Sequence, residues 1–485
     1  MEQNMELQHV IYDILKTQIQ FGIYRFGERL PTIEEESRLF HVSIKTIRAA
    51  YQRLQKESYI TMSQKVGVKV KVQYSEQNIR LHIQGFFSRH KDALIDLSCS
   101  MRPLFSQAQW LGFRNATPEL LNKMERLFMQ KEVLPPHLMI QLLQYIYGSL
   151  NNDLLMRLVC QVFMFYQAPF LSVPENLKNL ETQGYHPFLH MIDLCREQMW
   201  TQLRADVDAF QEHLSHTLQQ LYNRHSGQPL SVPQIRFAWS GYKKASQIRY
   251  SLGMELLVSI SRGEYPAGSY LPSVNKLAQD KQVSVSTVRR AFSVLNGIGV
   301  TKSVNGAGTQ VLPLCEIADN CDFTQQTVRN RMLEHAQSLQ LLALSCKEVT
   351  ELTIASVNAE AIELCKERLH TLQRTQRYEL AAYGILGIIA QYAPYDTIRT
   401  VYTALFQQLL WGYPLRSMRE DRETLNALFL PYFHSFMDCL ERGDAAGLSS
   451  KLEALLHREV NFAAGQLVKL GIEEAAGLVL PDTDQ

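Results

Sequence analysis

Ser286, Thr287, Arg289 and Arg290 stand close together in the run VSVSTVRRAFSVL, residues 283–295. Val288, Ala291, Phe292 and Leu295 of the same run recur at i, i+3, i+4 and i+7, the spacing of one apolar helix face. That leaves the hydroxyls and guanidiniums on or beside the opposite face. Small polar and cationic side chains on such a face can enter a DNA major groove and reach phosphates and base edges. Ser284 precedes this helix and is placed to cap it through its hydroxyl. Ser273 leads the shorter helix before it, and Val283-Ser284 closes the turn between the two. Downstream, Asn305, Gly306 and Gly308 mark a tight turn between two short extended runs. Two helices, a turn and a glycine-punctuated hairpin make a helix-turn-helix with a wing.

The same pattern occurs once more, 241 residues earlier. Gly22, Tyr24, Gly27, Leu30, Pro31, Val42, Ser43, Thr46, Arg48, Ala50, Leu54, Gly67 and Val70 all recur at that offset without a gap. Glycines fall on turns, apolar residues on one face and an arginine on the other, as a true internal repeat requires. The equivalent nucleic-acid-facing set is Thr32, Ser43, Lys45, Thr46 and Arg48, with Lys65 and Gly67 in the wing.

At these residues the chain resembles the GntR family of bacterial transcription regulators, over about sixty residues in each copy. The family's head reads G-x-(Y/L)-x-x-G-x-x-L-P-S, then V-S-x-x-T-V-R-x-A, then G-x-G-T. The chain shows GIYRFGERLPT, VSIKTIRAA and VGV from Gly22 onward, and GEYPAGSYLPS, VSVSTVRRA and GAGT from Gly263 onward. Arg48 and Arg289 match the family's later arginine. Two departures stand out. Where the family usually has arginine after the V-S serine and in helix two, the chain has Ile44 and Glu34 in one copy and Val285 and Asn275 in the other. The resemblance implies a double-stranded DNA operator as partner. It also implies a body that binds a small-molecule effector and sets the geometry of the heads.

The chain has 485 residues, a net charge of +1 and 46% hydrophobic residues, enough for several well-filled domains. The charge is unevenly spread. Residues 1–75 carry a net +3 and residues 242–313 a net +6, which leaves −8 for the rest. Positive heads on acidic bodies suit a protein that puts only its heads against phosphate. The run Glu34-Glu35-Glu36 works against this in the first head, where it is expected to repel a nucleic-acid backbone. The eight cysteines include no C-x-x-C pair, so no structural zinc and no cofactor is expected. The N-terminus lacks a signal pattern, and no stretch of 18 uninterrupted apolar residues occurs. The expected location is the cytoplasm of a bacterium, on the nucleoid when DNA-bound, with no membrane partner.

Four parts are expected: heads at 1–75 and 241–314, and helical bundles at 76–240 and 315–485. The fold class is mainly α, with α+β heads. Pro and Gly clusters at 134–136, 168–169, 172–174 and 186–187 should break the first body into pieces, and 227–233 reads as a linker. The bodies echo each other: Pro187-Phe188-Leu189-His190 matches Pro431-Tyr432-Phe433-His434 at an offset of 244, so head and body were duplicated together. An effector contact is expected near His190 or His434, which lie on apolar helix faces; packing histidines are the plainer alternative. His213 and His216 read as solvated. Tyr185, Trp200, Tyr392 and Trp411 could line a pocket or simply fill the core. No P-loop, G-x-S-x-G or Rossmann glycine pattern points to an enzyme. The competing reading is a protein-interaction scaffold whose winged helices no longer bind DNA. With two heads in one chain, a pseudo-dimeric monomer or a homodimer is expected.

Overall fold

The computed structural model describes residues 3–39, 43–63, 67–128, 135–173, 187–225, 233–239, 244–261, 263–419, 422–478 and 480–481. The fold is mainly helical, with two small sheets. It divides into two compact units, Met1–Trp239 with Tyr395–Thr397, and Ser240–Pro394 with Ile398–Gln485.

The first unit opens with α1 (Gln3–Gln20), α2 (Ile33–Leu39), α3 (Ile44–Lys56), β1 (Ile60–Ser63) and β2 (Gly67–Val70). Ile47, Ala50, Tyr51 and Leu54 of α3 are fully buried, and α1 packs against them. Burying side chains of this size contributes about 1.5–3 kcal/mol each. The strands pair antiparallel from Ile60↔Val70 to Ser63↔Gly67, and a bridge from Arg29 to Lys69 adds a third edge.

The body of this unit comprises α4 (Glu76–Arg114), α5 (Pro118–Phe128), α6 (Pro135–Gly148), α7 (Asp153–Val162), α8 (Ala168–Leu171), α9 (Pro187–Arg196) and α10 (Trp200–His225). Its frame is the antiparallel pair α4 and α10. Gln219 donates to Ser98 at 2.6 Å near one end, and the Trp110 indole donates to the Trp200 carbonyl at 3.1 Å near the other. The break expected at Ala168-Pro169 does not occur. The chain stays helical from Asp153 to Leu171, with a π-helical turn at Phe163–Gln167 between α7 and α8. Pro169 has no N–H to donate and its ring would press on the preceding turn; widening that turn relieves both. Residues 153–171 are apolar and long enough to cross a membrane, but 83% of the apolar window is buried inside the unit, as in a core helix. Most of the 227–233 linker, and the breaks at Leu134 and Pro174, lie outside the described residues.

The second unit repeats the plan with α11 (Lys244–Ser261), α12 (Val274–Asp280), α13 (Val285–Gly297), β3 (Thr301–Val304) and β4 (Gly308–Val311). Helices two and three, both strands and the extra bridge, here Tyr270 to Gln310, keep the 241-residue offset. Even the wing's cross-links repeat: Gly27 N–H donates to Val70 O at 3.0 Å, and Gly268 N–H to Val311 O at 2.8 Å. The body follows as α14 (Ile317–Asn320), α15 (Gln326–Ser356), α16 (Ala359–Arg374), α17 (Ala381–Tyr392), α18 (Asp396–Leu409), α19 (Tyr413–Ser417), α20 (Arg422–Arg442) and α21 (Ala445–Lys469). Again two long antiparallel helices, α15 and α21, form the frame; Ser449 donates to Glu351 at 2.7 Å. The body cap also obeys the offset, since Thr117 and Asn358 accept from Leu120 and Ala361 N–H groups.

All eight cysteines are free, and six are buried; burial pushes the Cys160 and Cys195 thiols up to about 12. Among the described residues, no three His, Cys, Asp or Glu side chains converge as a metal site would need.

Candidate nucleic-acid interface

Each recognition helix begins at a serine that closes it. Ser43 accepts from Thr46 N–H at 3.1 Å, and Ser284 accepts from Thr287 N–H at 3.1 Å. A side-chain oxygen there satisfies one of the orphan donors of the first turn. Ser284 also lies 2.8 Å from the hydroxyls of both Ser286 and Thr287. This fixes a hydroxyl cluster at the leading end of α13, where Ser284 and Ser286 are exposed and Thr287 is half-buried. One turn on, Arg289 and Arg290 are exposed and make no hydrogen bond or ion pair among the described residues. Arg289 borders a concave strip between α13 and the wing, shared with Ser293, Ser303 and Thr309. At the wing tip Asn305, Gly306 and Gly308 are exposed, and Gly306 takes φ 76°, a backbone state glycine adopts without steric cost.

The first head presents less. Ser43, Lys45 and Arg48 are exposed on α3, as is Gly67 in the wing; Lys65 lies outside the described residues. Thr46 is a correction: it is 3% exposed, with its hydroxyl 2.7 Å from Ser43, so it serves the cap and not an outer face. Beyond Arg48, Arg53 is tied to Glu57 at 3.1 Å and lies over the Tyr12 ring at 3.9 Å, while Ile44, an apolar side chain, is 44% exposed beside the cap.

The acidic run of α2 also differs from its expected role. Only Glu34 faces solvent without a structural task for its carboxylate. Thr32 and Glu35 form a capping box: Thr32 N–H donates to the Glu35 carboxylate at 2.7 Å, and Glu35 N–H donates to the Thr32 hydroxyl at 3.2 Å. Glu36 is wholly buried, at the position that Leu277 fills in the other head. In that second head Ser273 caps α12 by accepting from Lys276 N–H at 3.3 Å, so Thr32 and Ser273 are both partly occupied as caps.

The Glu35 carboxyl is held below its ordinary value of 4.5, first by the Thr32 N–H and then by the Thr32 hydroxyl. Its contribution to stability is therefore fully present above the unfolded-state pKa and is lost as pH falls through the lower folded value. Removing the hydroxyl half of the box with Thr32→Ala should cost about 0.5–2 kcal/mol, while the Thr32 N–H stays on the Glu35 carboxylate and keeps the main source of its pH dependence. Urea titration at neutral pH checks this; no loss of stability would contradict the box.

Within the bodies, neither of the two histidines expected to mark an effector is buried. His190 pairs with Asp206 at 3.2 Å, and His434 is exposed beside the Phe433 ring. Neither lines the cavity found in the first body. That cavity, of about 110 Å³, lies in the first body between α4, α6, α7, α9 and α10. His213, expected to be simply solvated, is exposed at its edge. Two histidines of the second body are buried, His335 and His457; burial, then Arg416, pushes His335 down to about 3. Trp411 is fully buried core, Trp200 and Tyr392 are half-buried, and Tyr185 lies outside the described residues.

Two capped recognition helices, each with a three-edged wing, define the winged helix-turn-helix class of regulator. Residues 7–70 and 251–311 both match the model of the bacterial regulatory proteins of the gntR family. The head described by that family's model is thus present twice in this chain. It is 23% identical over 110 residues to the HTH-type transcriptional regulator YhcF of Bacillus subtilis (strain 168), covering 23% of this chain and 89% of that one. Among solved structures it is similar to a Streptococcus agalactiae GntR, at 16% identity and TM-score 0.22, over 44% of this chain and 99% of that chain. It is also similar to a GntR family member from Pseudomonas syringae pv. tomato str. DC3000, at 20% identity and TM-score 0.19, over 48% and 90%.

Proposed function

We propose that the chain binds an asymmetric double-stranded DNA operator through both heads, the second supplying most of the affinity, and that a small molecule held in a helical body controls this binding. The observation that carries the reading is the exposed Arg289-Arg290 pair, unpaired among the described residues, behind the hydroxyl cluster of α13, set against Arg48-Ala49 in the first head. The heads' net charges, +6 and +3, favour the same ranking. In this reading the four-part division stands as head, body, head, body, and the chain acts in the bacterial cytoplasm as a built-in pseudo-dimer. Covalent linkage raises the effective concentration of the second head once the first has bound.

Arg289→Ala should weaken operator binding by about 1–3 kcal/mol if its guanidinium reads a base. Arg48→Ala should weaken it less. Fluorescence anisotropy on a genomically selected site, repeated over a salt series, measures both. Log affinity should fall linearly with log salt. A larger loss from Arg48→Ala would reverse the ranking, and binding independent of salt would favour the protein-interaction scaffold, a reading that the apolar Ile44 beside the first cap also serves. Light scattering and a footprint test the pseudo-dimer; a perfect palindrome held by two chains, one head each, would refute it.

A further inference from the structure

The cavity of the first body carries more than shape. Met101, Phe105, Leu143, Val159 and Phe188 give it an apolar lining. Two glutamines of the frame helices are among its lining residues, Gln109 of α4 at 1% exposure and Gln211 of α10 at 3%. Gln211 Nε2 donates to Gln109 Oε1, which ties the amides to each other. The other half of each is left over: Gln109 Nε2 and Gln211 Oε1 are buried and have no hydrogen-bond partner. Exchanging oxygen and nitrogen on both amides gives the same outcome, one unmet donor beside one unmet acceptor. A buried polar atom left without a partner costs about 1–3 kcal/mol, so the pair is poised to accept a ligand that supplies both.

The second body does not keep the pair. Thr350 stands 241 residues after Gln109, and Leu455 stands 244 after Gln211, both buried. The amides are therefore not needed to hold the frame helices together, and they mark one of the duplicated bodies as different in kind.

We infer that this cavity is the binding site for a compact, neutral molecule with an apolar body and one carboxamide or hydroxyl head, recognised by the Gln109–Gln211 pair. The inference rests on the effector role proposed above and names its site and ligand class. A carboxamide fits best, because its carbonyl accepts from Gln109 and its N–H donates to Gln211. A carboxylate fits poorly: it has no proton for the acceptor, and among the described residues no Lys or Arg lines the cavity to offset its charge. Size points the same way. An apolar cavity of about 150 Å³ admits benzene, so about 110 Å³ suits a ligand of roughly four to seven heavy atoms.

Isobutyramide and isobutyrate share one shape and differ at the head, and they are the probes. Calorimetric titration of the full chain at pH 7 should show saturable binding of isobutyramide and at least tenfold weaker binding of isobutyrate. Gln211→Leu should weaken isobutyramide at least tenfold, and Val159→Phe, which fills the cavity, should abolish binding. The two-probe comparison on the unaltered chain needs no variant to fold. Equal affinity for both probes, or no saturable binding of the amide, overturns the site. Operator affinity measured on the same preparation separates the two claims: a chain that binds isobutyramide through Gln211 but holds DNA unchanged has the site without the regulatory role.

Discussion

Gly299→Ala is expected to destabilise the second unit by on the order of 3–5 kcal/mol. Gly299 follows the recognition helix α13, at φ 74°, where its N–H donates to Asn296 O at 3.0 Å and ends the helix. A Cβ there would lie 2.2 Å from the Ile317 carbonyl oxygen, 2.8 Å from Cys321 N and 3.0 Å from the Asn320 carbonyl carbon. All three are backbone atoms of α14 and its cap, so no rotamer change can make room. The left-handed backbone alone costs an L-residue roughly 1–2 kcal/mol; the remainder comes from pushing α14 away from the head. The first head supplies the control. Ser58 occupies the equivalent position at φ 63°, which shows that the turn itself tolerates a side chain when nothing packs against it. Ser58→Gly should therefore change stability by no more than about 1 kcal/mol, and in the stabilising direction. Urea denaturation of the full chain measures both. A loss below about 1 kcal/mol for Gly299→Ala would mean that α14 moves freely with respect to the head.

Much of this was legible in the sequence because the repeat constrains it twice. The 241-residue offset placed Ser43 and Ser284 at helix starts and the glycines at turns, and the structure keeps that register through both wings. What stayed hidden depends on contacts between distant residues. Gln109 and Gln211 are 102 positions apart, and nothing local distinguishes a glutamine facing a cavity from one facing water. The surroundings of the histidines are hidden for the same reason. His190 stands in an apolar stretch of sequence, yet Asp206, sixteen positions on, lies 3.2 Å from its ring nitrogen. Thr46 sits between exposed Lys45 and buried Ile47, and only the cap geometry shows that its hydroxyl turns back to Ser43. Glu36 is a different failure, because the information was present. Aligning the copies puts it on Leu277, a core position in a short amphipathic helix. Its charge suggested surface, and the repeat argued for burial; the repeat was the better guide.

That exchange of Glu36 for Leu277 leads to the other large effect. Glu36 is fully buried in the first head, and Leu277 is 3% exposed in the second. Tyr24 and Tyr51 lie close to the carboxylate; burial, then the charge of Glu36, pushes both phenols above their ordinary value. Tyr51 still finds a partner, donating to the Pro31 carbonyl at 2.8 Å. A buried carboxylate loses several kcal/mol of hydration, and replacing such a group by an apolar side chain of similar volume is often neutral or stabilising by about 1–4 kcal/mol. The second head shows that leucine is sterically at home in this helix. Glu36→Leu should therefore stabilise the first head within that range. The reverse change, Leu277→Glu, should destabilise the second head by about 3–5 kcal/mol, since it buries a charge with no network evolved around it. Burial raises the pKa of such a carboxyl in the folded state, so the folded protein binds the proton more tightly than the unfolded chain, and Leu277→Glu should regain stability as pH falls. Thermal and urea unfolding of the two variants at neutral and mildly acidic pH decide the question. If Glu36→Leu lost 1 kcal/mol or more, the carboxylate would be a member of a polar network with Tyr24 and Tyr51 that holds the first recognition helix in place, and the first head would owe its shape to a charge at its centre.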